Sequence, residues 1–388
     1  MGRGFVCQRC GNDNVRFLGL GKKGETYCRK CLEFSGAKAE PYEREGPPVP
    51  LELPYSLTEP QRKVSDQVLE CAKIKKPVLI KAVTGAGKTE LVFATMEWFL
   101  QRKLKVAFAT PRHDVVLEIG PRIKKAFPHA KIAMVCHGHT DDLTGDVVVL
   151  TAHQLYRYPN YFDLVVFDEI DAFPYHDNEL LKNMFRKAVR GTYVLLSATP
   201  SGEDLDEISK RGGRVIELNS RFHGKPLPVP EYRKAGVLGF ANMVLELKKM
   251  VKEGRQVFLF VPTIFESKRM FNLVKHLVPK GESVNSEDEY REEKISAFKS
   301  GHLRYLVTTA VLERGVTVAD LQVLVFNADS EIYSPEALVQ IAGRAGRIRG
   351  FENGKVLFYG NRKEGKISRA ISIIEQANEK ARMQKLLC

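Results

Sequence analysis

Apolar residues fall in short bursts along this chain, and the bursts are of two kinds. One kind is a compact run rich in β-branched side chains. Such runs occur at 77–81 (PVLIK), 105–109 (KVAFA), Ile132–Cys136, Val147–Leu150, Leu164–Phe167 and Val194–Leu196. Unbroken apolar runs, rather than alternating ones, suit strands buried on both faces of a parallel sheet. The other kind recurs at intervals of three and four. It predicts a helix from Thr58 to about Lys73, with Thr58 as cap and Pro60 in the first turn, and another over 91–100. A second series follows downstream. Strands are expected at Gln256–Val261, Tyr305–Thr308, Val323–Phe326 and Lys355–Tyr359, with helices over 238–253, 265–278, 288–299, 334–342 and 366–384. Strands separated by helices predict the α/β class with open parallel sheets.

Proline-rich breaks divide this pattern. Residues 1–45 carry little periodicity and form a first small unit, and 46–54, with Pro47, Pro48, Pro50 and Pro54, read as a linker. Residues 55–218 are a first lobe. The stretch 219–235, with Pro226, Pro228 and Pro230, is a joint, and 236–388 form a second lobe. A length of 388 residues agrees with more than one domain. No apolar run approaches the ~18 residues of a membrane helix. The opening MGRGFVCQRC lacks the apolar stretch of a secretion signal, so a cytoplasmic protein is expected. Sixty Lys and Arg against 47 Asp and Glu give a net charge of +13, which points to a polyanionic partner.

Four of the cysteines form two CxxC pairs, Cys7/Cys10 and Cys28/Cys31. That spacing predicts a zinc ribbon in which four thiolates close a tetrahedron around Zn²⁺. A pair of disulfides is the alternative, and a cytoplasmic setting argues against it. So small a unit depends on its metal to fold.

Directly after the 77–81 run stands Lys81–Glu90, KAVTGAGKTE, and directly after that the helical 91–100. Strand, glycine-rich turn and helix are the setting of a nucleotide-phosphate loop. Thr84, Gly85, Ala86 and Gly87 supply a backbone able to bend its N–H groups toward phosphate oxygens. Lys88 supplies a cation for the β- and γ-phosphates, and the Thr89 hydroxyl is placed to hold Mg²⁺. About 80 residues on, Leu164–Phe167 leads into Asp168-Glu169-Ile170-Asp171. Carboxylates at the end of a buried parallel strand face the ligand crevice. Asp168 is expected to hold Mg²⁺, and Glu169 to orient or deprotonate the attacking water.

Taken in order, the chain carries Gln61, AVTGAGKT (82–89), ATPR (109–112), TAHQ (151–154), DEID (168–171), SATP (197–200), VTTAVLERGVTV (307–318) and QIAGRAGR (340–347). This series resembles the superfamily-two helicases and translocases. The resemblance covers most of residues 55–350, and the zinc ribbon ahead of the motor extends it to the ComFA family of competence ATPases. It implies two tandem RecA-like lobes of the P-loop NTPase type. It implies that Gln61 reads adenine and that Gly315 lets the second-lobe backbone approach the nucleotide. Gln340, Arg344 and Arg347 would face the γ-phosphate, and Ser197 and Thr199 would couple nucleotide state to movement. Pro111, Arg112, Thr151, His153, Thr263, Thr308 and Thr309 would meet the nucleic-acid backbone. The implied cofactors are ATP, Mg²⁺ and Zn²⁺. The implied activity is ATP hydrolysis stimulated by single-stranded DNA, at the inner face of a membrane DNA channel and with other competence proteins as partners. A replication-restart or RNA helicase is the nearest alternative. A zinc-containing nucleic-acid scaffold with a decayed motor is the alternative of another class, and retention of Lys88, Thr89, Asp168, Glu169, Gln340, Arg344 and Arg347 speaks against it.

Overall fold

The computed structural model describes residues 6–7, 9–21, 24–309, 318–363 and 365–387. Gly315 lies outside the described residues. The chain divides into two compact units, one of Met1–Ala82 with Gly87–Leu218 and one of Val83–Ala86 with Asn219–Cys388.

The first unit opens with a two-stranded hairpin, β1 (Leu18–Leu20) and β2 (Thr26–Cys28), paired antiparallel. Helix α1 (Glu59–Lys73) follows a connector and starts on a capping box between Thr58 and Gln61. Strands β3 (Val78–Ala82), β4 (Val106–Thr110), β5 (Ile132–Val135), β6 (Val147–Thr151), β7 (Phe162–Asp168), β8 (Val189–Ser197) and β9 (Arg214–Leu218) then alternate with α2 (Phe93–Leu100), α3 (His113–Ala126), α4 (Glu179–Ala188) and α5 (Gly202–Lys210). The strands form one sheet in the order β5-β6-β4-β7-β8-β3-β9, parallel throughout. The interior strands β4 and β6 are buried at every position, as their unbroken apolar runs require. One face of the sheet packs Val148, Leu150, Val165, Phe167 and Leu195 against Leu181, Met184 and Phe185 of α4.

The second unit carries β10 (Glu231–Lys234), α6 (Val237–Lys252), β11 (Gln256–Phe260), α7 (Ile264–Val274), β12 (Gly281–Val284), α8 (Arg291–Lys299), β13 (Tyr305–Thr308), β14 (Leu321–Phe326), α9 (Pro335–Ala342), β15 (Val356–Gly360) and α10 (Lys366–Met383). Its sheet order is β10-β15-β14-β11-β13-β12, again all parallel. Alternate residues of each strand face opposite layers. Val257 and Leu259 of β11 pack with α6 and α7, whereas Phe258 and Phe260 pack with α8, α9 and α10.

The structure differs from the sequence pattern in several places, and adds the unpredicted strands β9 and β12. The helix after the phosphate loop opens as a tight 3-10 turn, Glu90–Val92, before α2. Within the expected joint, Glu231–Lys234 pairs with β15 as an edge strand. The run expected as a three-residue strand at Val194–Leu196 is the end of β8, which is nine residues long.

Candidate nucleotide, metal and nucleic-acid sites

Sheet order brings the motifs of the first unit together. The phosphate loop follows β3, the acidic motif follows β7, and SATP follows β8, which lies between those two strands. Parallel strands send their C-terminal turns to one edge, so the three motifs share that edge. Gly85 and Gly87 take φ of +81° and +77°, a region open to glycine and costly for other residues. A Cβ at Gly87 would stand 2.6 Å from Nε2 of Gln61, so the predicted adenine reader lies against the loop. Gln61 is buried, and its Oε1 accepts hydrogen bonds from the backbone N–H and hydroxyl of Thr58, each 3.0 Å. Lys88 Nζ donates to the carbonyl of Ala82 at 3.4 Å. Thr89 is buried at the base of the 3-10 turn. The next residue, Glu90, pairs with Arg122 and accepts from the hydroxyl of Tyr55 at 3.3 Å.

Asp168 ends β7 buried, and its Oδ1 accepts the backbone N–H of Glu169 at 2.9 Å. Glu169 has φ of +61°. A non-glycine residue held there stores strain on the order of 1–3 kcal/mol, which the braced ends of the turn must offset. Thr199 Oγ1 donates to Asp171 at 2.6 Å, and Ser197 Oγ accepts the Thr199 N–H at 3.0 Å. The two coupling candidates therefore touch each other, and one touches the acidic motif. Asp171 received no role from the sequence alone. A carboxylate at i+3 from Asp168 is common in acidic loops, and only the fold shows which hydroxyl it meets.

The candidate nucleic-acid contacts of this unit stand nearby. Pro111 and Arg112 follow β4, Thr151 ends β6, and Thr110 is registered opposite Thr151. His153 lies on the 3-10 turn Ala152–Arg157, with its ring stacked on Phe34 at 6.3 Å and 11°. Burial holds its imidazole below the usual histidine range, against an opposing pull from Glu33.

In the second unit, Gln340 sits on α9, Arg344 is buried just beyond it, and Arg347 Nε donates to the carbonyl of Gly343 at 2.8 Å. The structure adds Arg221 to this group. Its guanidinium is buried and donates to the carbonyls of Ala345 at 2.9 Å and Gly343 at 3.3 Å, and to that of Gly346. Burial, then the Arg347 charge, push its pKa down to about 9. His223 Nε2 also meets the Gly346 carbonyl, at 3.1 Å. The proline-rich joint thus braces the loop that presents Arg344 and Arg347. Among the other nucleic-acid candidates, the Thr263 hydroxyl accepts the Glu266 N–H at 3.1 Å and donates to the Glu266 carboxylate at 2.9 Å, capping α7. Thr308 and Thr309 are buried.

The four cysteines meet as the spacing predicts. Their Sγ atoms all lie within 4.8 Å of one another, with Cys7–Cys31 at 3.8 Å and Cys10–Cys28 at 3.7 Å. Two thiolates bound to one tetrahedral zinc would stand about 3.8 Å apart. A disulfide needs about 2.05 Å. The donor set therefore fits zinc. Burial would raise the Cys7 thiol, yet the backbone N–H groups of Cys10 and Arg9 bring it down to about 7, toward the thiolate a metal needs.

The ribbon is seated on the first unit. Leu180 of α4 packs on the cysteine cluster, and Phe34 belongs to the core beneath it. Arg157 donates to the carbonyl of Ala37 at 2.6 Å and accepts at its own carbonyl from Ala39 N–H at 2.9 Å. A Cβ on Gly36 would fall 2.3 Å from the Arg157 guanidinium and 2.4 Å from the Tyr156 hydroxyl, so a larger residue would displace both of those side-chain ends. Arg9 donates to the carbonyls of Cys31, at 3.3 Å, and Phe34.

Residues 54–202 match the family described as type III restriction enzyme, res subunit, and residues 241–349 match the helicase conserved C-terminal domain. The competence protein ComFA of Bacillus subtilis is 36% identical over 98% of this chain and 87% of its own length. ComFA of Streptococcus pneumoniae is 32% identical over 97% of this chain and 91% of its own. Among solved structures, yeast Dbp5 bound to RNA and ADP BeF3 superposes with a TM-score of 0.62 at 15% identity, covering 86% of this chain and 98% of that one. RecG bound to a three-way DNA junction gives 0.60 at 19% identity, covering 88% and 51%. These likenesses establish two RecA-like lobes and an ATP-hydrolysing enzyme of the superfamily-two helicase type, which uses ATP and Mg²⁺.

Proposed function

The chain belongs to the ComFA family of competence proteins, and from that premise we propose that it is an ATP-driven motor on single-stranded DNA that powers DNA uptake during transformation. It works in the cytoplasm, at the inner face of the membrane, in company with the DNA channel and other competence proteins. Among the described residues no helix is long and apolar enough to cross a membrane.

The proposed roles are these. The phosphate loop with Lys88 cradles the β- and γ-phosphates, and Gln61 reads adenine. Thr89 and Asp168 hold Mg²⁺, which supplies charge neutralisation at the phosphates. Glu169 orients the attacking water and takes its proton. Gln340, Arg344 and Arg347, with Gly315, complete the nucleotide site from the second lobe. Cys7, Cys10, Cys28 and Cys31 hold a structural Zn²⁺. Pro111, Arg112, Thr151, His153, Thr263, Thr308 and Thr309 track the strand backbone, a contact indifferent to sequence.

One observation supports this reading most directly. Thr199 of SATP bonds Asp171 of the acidic motif at 2.6 Å, on the sheet edge where the turns after β4 and β6 carry the proposed strand contacts. That bond ties the turn after β8 to the turn after β7, and β7 pairs with β4, whose following turn carries Pro111 and Arg112. The test is ATP hydrolysis measured with single-stranded DNA, duplex DNA and RNA in parallel. Single-stranded DNA should raise the rate most. Equal or greater stimulation by RNA would replace this reading with an RNA helicase, and a chain that hydrolyses nothing would be a scaffold.

A further inference from the structure

After Asp171 the chain turns through Ala172-Phe173-Pro174-Tyr175 before reaching α4. Ala172 is 3% exposed and Tyr175 is 5% exposed, yet Phe173 between them is 84% exposed. Scattered apolar residues on a surface need no explanation. This ring differs in how firmly it is held out. Ala172 N–H donates to the Glu169 carbonyl at 2.9 Å, and the N–H groups of Tyr175 and His176 donate back to the Ala172 carbonyl at 3.0 and 3.2 Å. The Tyr175 ring packs on Phe167 with centroids 4.2 Å apart and meets Phe185 edge-on at 6.4 Å. Asp171, on the other side, is tied to Thr199. The turn is pinned at both ends, and it presents one phenyl ring to water.

The sheet edge it leaves by gives the ring its candidate partner. Strand β7 pairs with β4, and β4 pairs with β6. All are parallel, so the turn bearing Phe173 leaves the same sheet edge as Pro111, Arg112 and Thr151. Those three are the proposed contacts to the strand backbone. A flat apolar ring beside a row of phosphate contacts is how proteins hold unpaired bases of any sequence. Phosphate contacts alone barely distinguish one strand from two. A ring does, because duplex bases already stack on one another.

We propose that Phe173 is a stacking platform for an unpaired base, and that it makes the motor selective for single strands. The inference rests on the reading of the protein as a motor on single-stranded DNA. The ring stands two residues beyond the Asp171 carboxylate that holds Thr199, so an occupied platform and the hydrolytic site share one braced turn.

Fluorescein-labelled oligothymidylate, titrated into the full-length protein with a non-hydrolysable ATP analogue present, tests it. Phe173→Ala should weaken binding by about 5- to 150-fold, the range for loss of one base–aromatic stack. Phe173→Trp should keep wild-type affinity, and its added indole fluorescence should be quenched as unlabelled oligothymidylate is added. The lone native Trp98, measured in the wild type, gives the background. An abasic oligomer of equal length should leave the introduced indole unquenched. Wild-type affinity in Phe173→Ala, with an indole that ignores the strand, would overturn the platform while leaving the motor reading intact. A wild-type protein that does not bind oligothymidylate would overturn the motor reading itself.

Discussion

Lys88 Nζ donates to the Ala82 carbonyl at the end of β3 at 3.4 Å, and the residue after Asp168 is a glutamate held at φ of +61°. Both features predict sharp mutational outcomes. Lys88→Ala removes the loop's cation and should abolish hydrolysis. Glu169→Gln preserves shape while removing the proposed base, so ATP and Mg²⁺ binding should persist with slow turnover. Single-turnover and nucleotide-binding measurements separate the two, and near-normal turnover in either variant would refute the assignment. Arg347→Ala should lower the maximal rate by ~10³ or more with little change in ATP affinity, if its charge acts on the transition state. An unchanged maximal rate would show that it points elsewhere. Arg221 answers to a different measurement. Its fork serves three carbonyls, and Lys at that position cannot reproduce the geometry. Arg221→Lys should therefore destabilise the 343–347 loop by about 1–3 kcal/mol, from carbonyls left buried without a donor. Faster amide exchange in that loop would register it. Lys88, Thr89 and Asp168 are legible in the sequence because phosphate and Mg²⁺ chemistry demand those residue types at those spacings. Arg221 and Arg157 are not, because a guanidinium serving distant carbonyls leaves no local spacing to read.

At the scale of elements, the interior strands were readable and several edges were not. β4, β6 and β7 announce themselves as apolar runs because both of their faces are covered. β9, β10 and β12 lie at sheet edges and show solvent on at least part of their length, so RVIEL, EYRK and GESV carry no such run. The seam between ribbon and first unit was also hidden, since it depends on Phe34, Gly36 and Arg157, which are far apart in the chain. That seam should respond to pH through His153. Its folded pKa is depressed below the ordinary value of about 6.5, so the unfolded chain binds the proton more readily. Stability from this group is therefore present above about pH 6.5 and is lost as pH falls through that value toward the folded pKa. Hydrogen exchange across 34–39 and 152–157 should quicken between about pH 7.5 and about pH 5.5. His153→Phe keeps the stack on Phe34 without the titration, and should flatten that dependence. If the variant retains it in full, the effect comes from the cysteine thiolates and not from His153.

For the molecule as a whole, the question is how far the loss of zinc spreads. The sequence suggests a ribbon that loosens by itself, because the metal site supplies most of that unit's folding free energy while the two lobes have cores of their own. The structure sets the ribbon within the first unit, where Phe34 is 5% exposed in the core beneath β6, β7 and α4. The second unit has core clusters of its own on both faces of its sheet. Chelation, or Cys28→Ser, should therefore free the hairpin of β1 and β2, loosen α4 and the turn at 152–157, and leave exchange in β11, β13 and β14 unchanged. Phe34→Ala should act on the same peptides with the metal still bound, at a cost of about 3 kcal/mol for an emptied aromatic site. Zinc content by elemental analysis, one ion per chain, keeps the two perturbations distinct. Protection lost equally in both units on chelation would show that the metal's hold is not confined to the unit that carries it. Protection lost in the hairpin alone would show that the contacts of Phe34, Gly36 and Arg157 hold the connector without help from the ribbon.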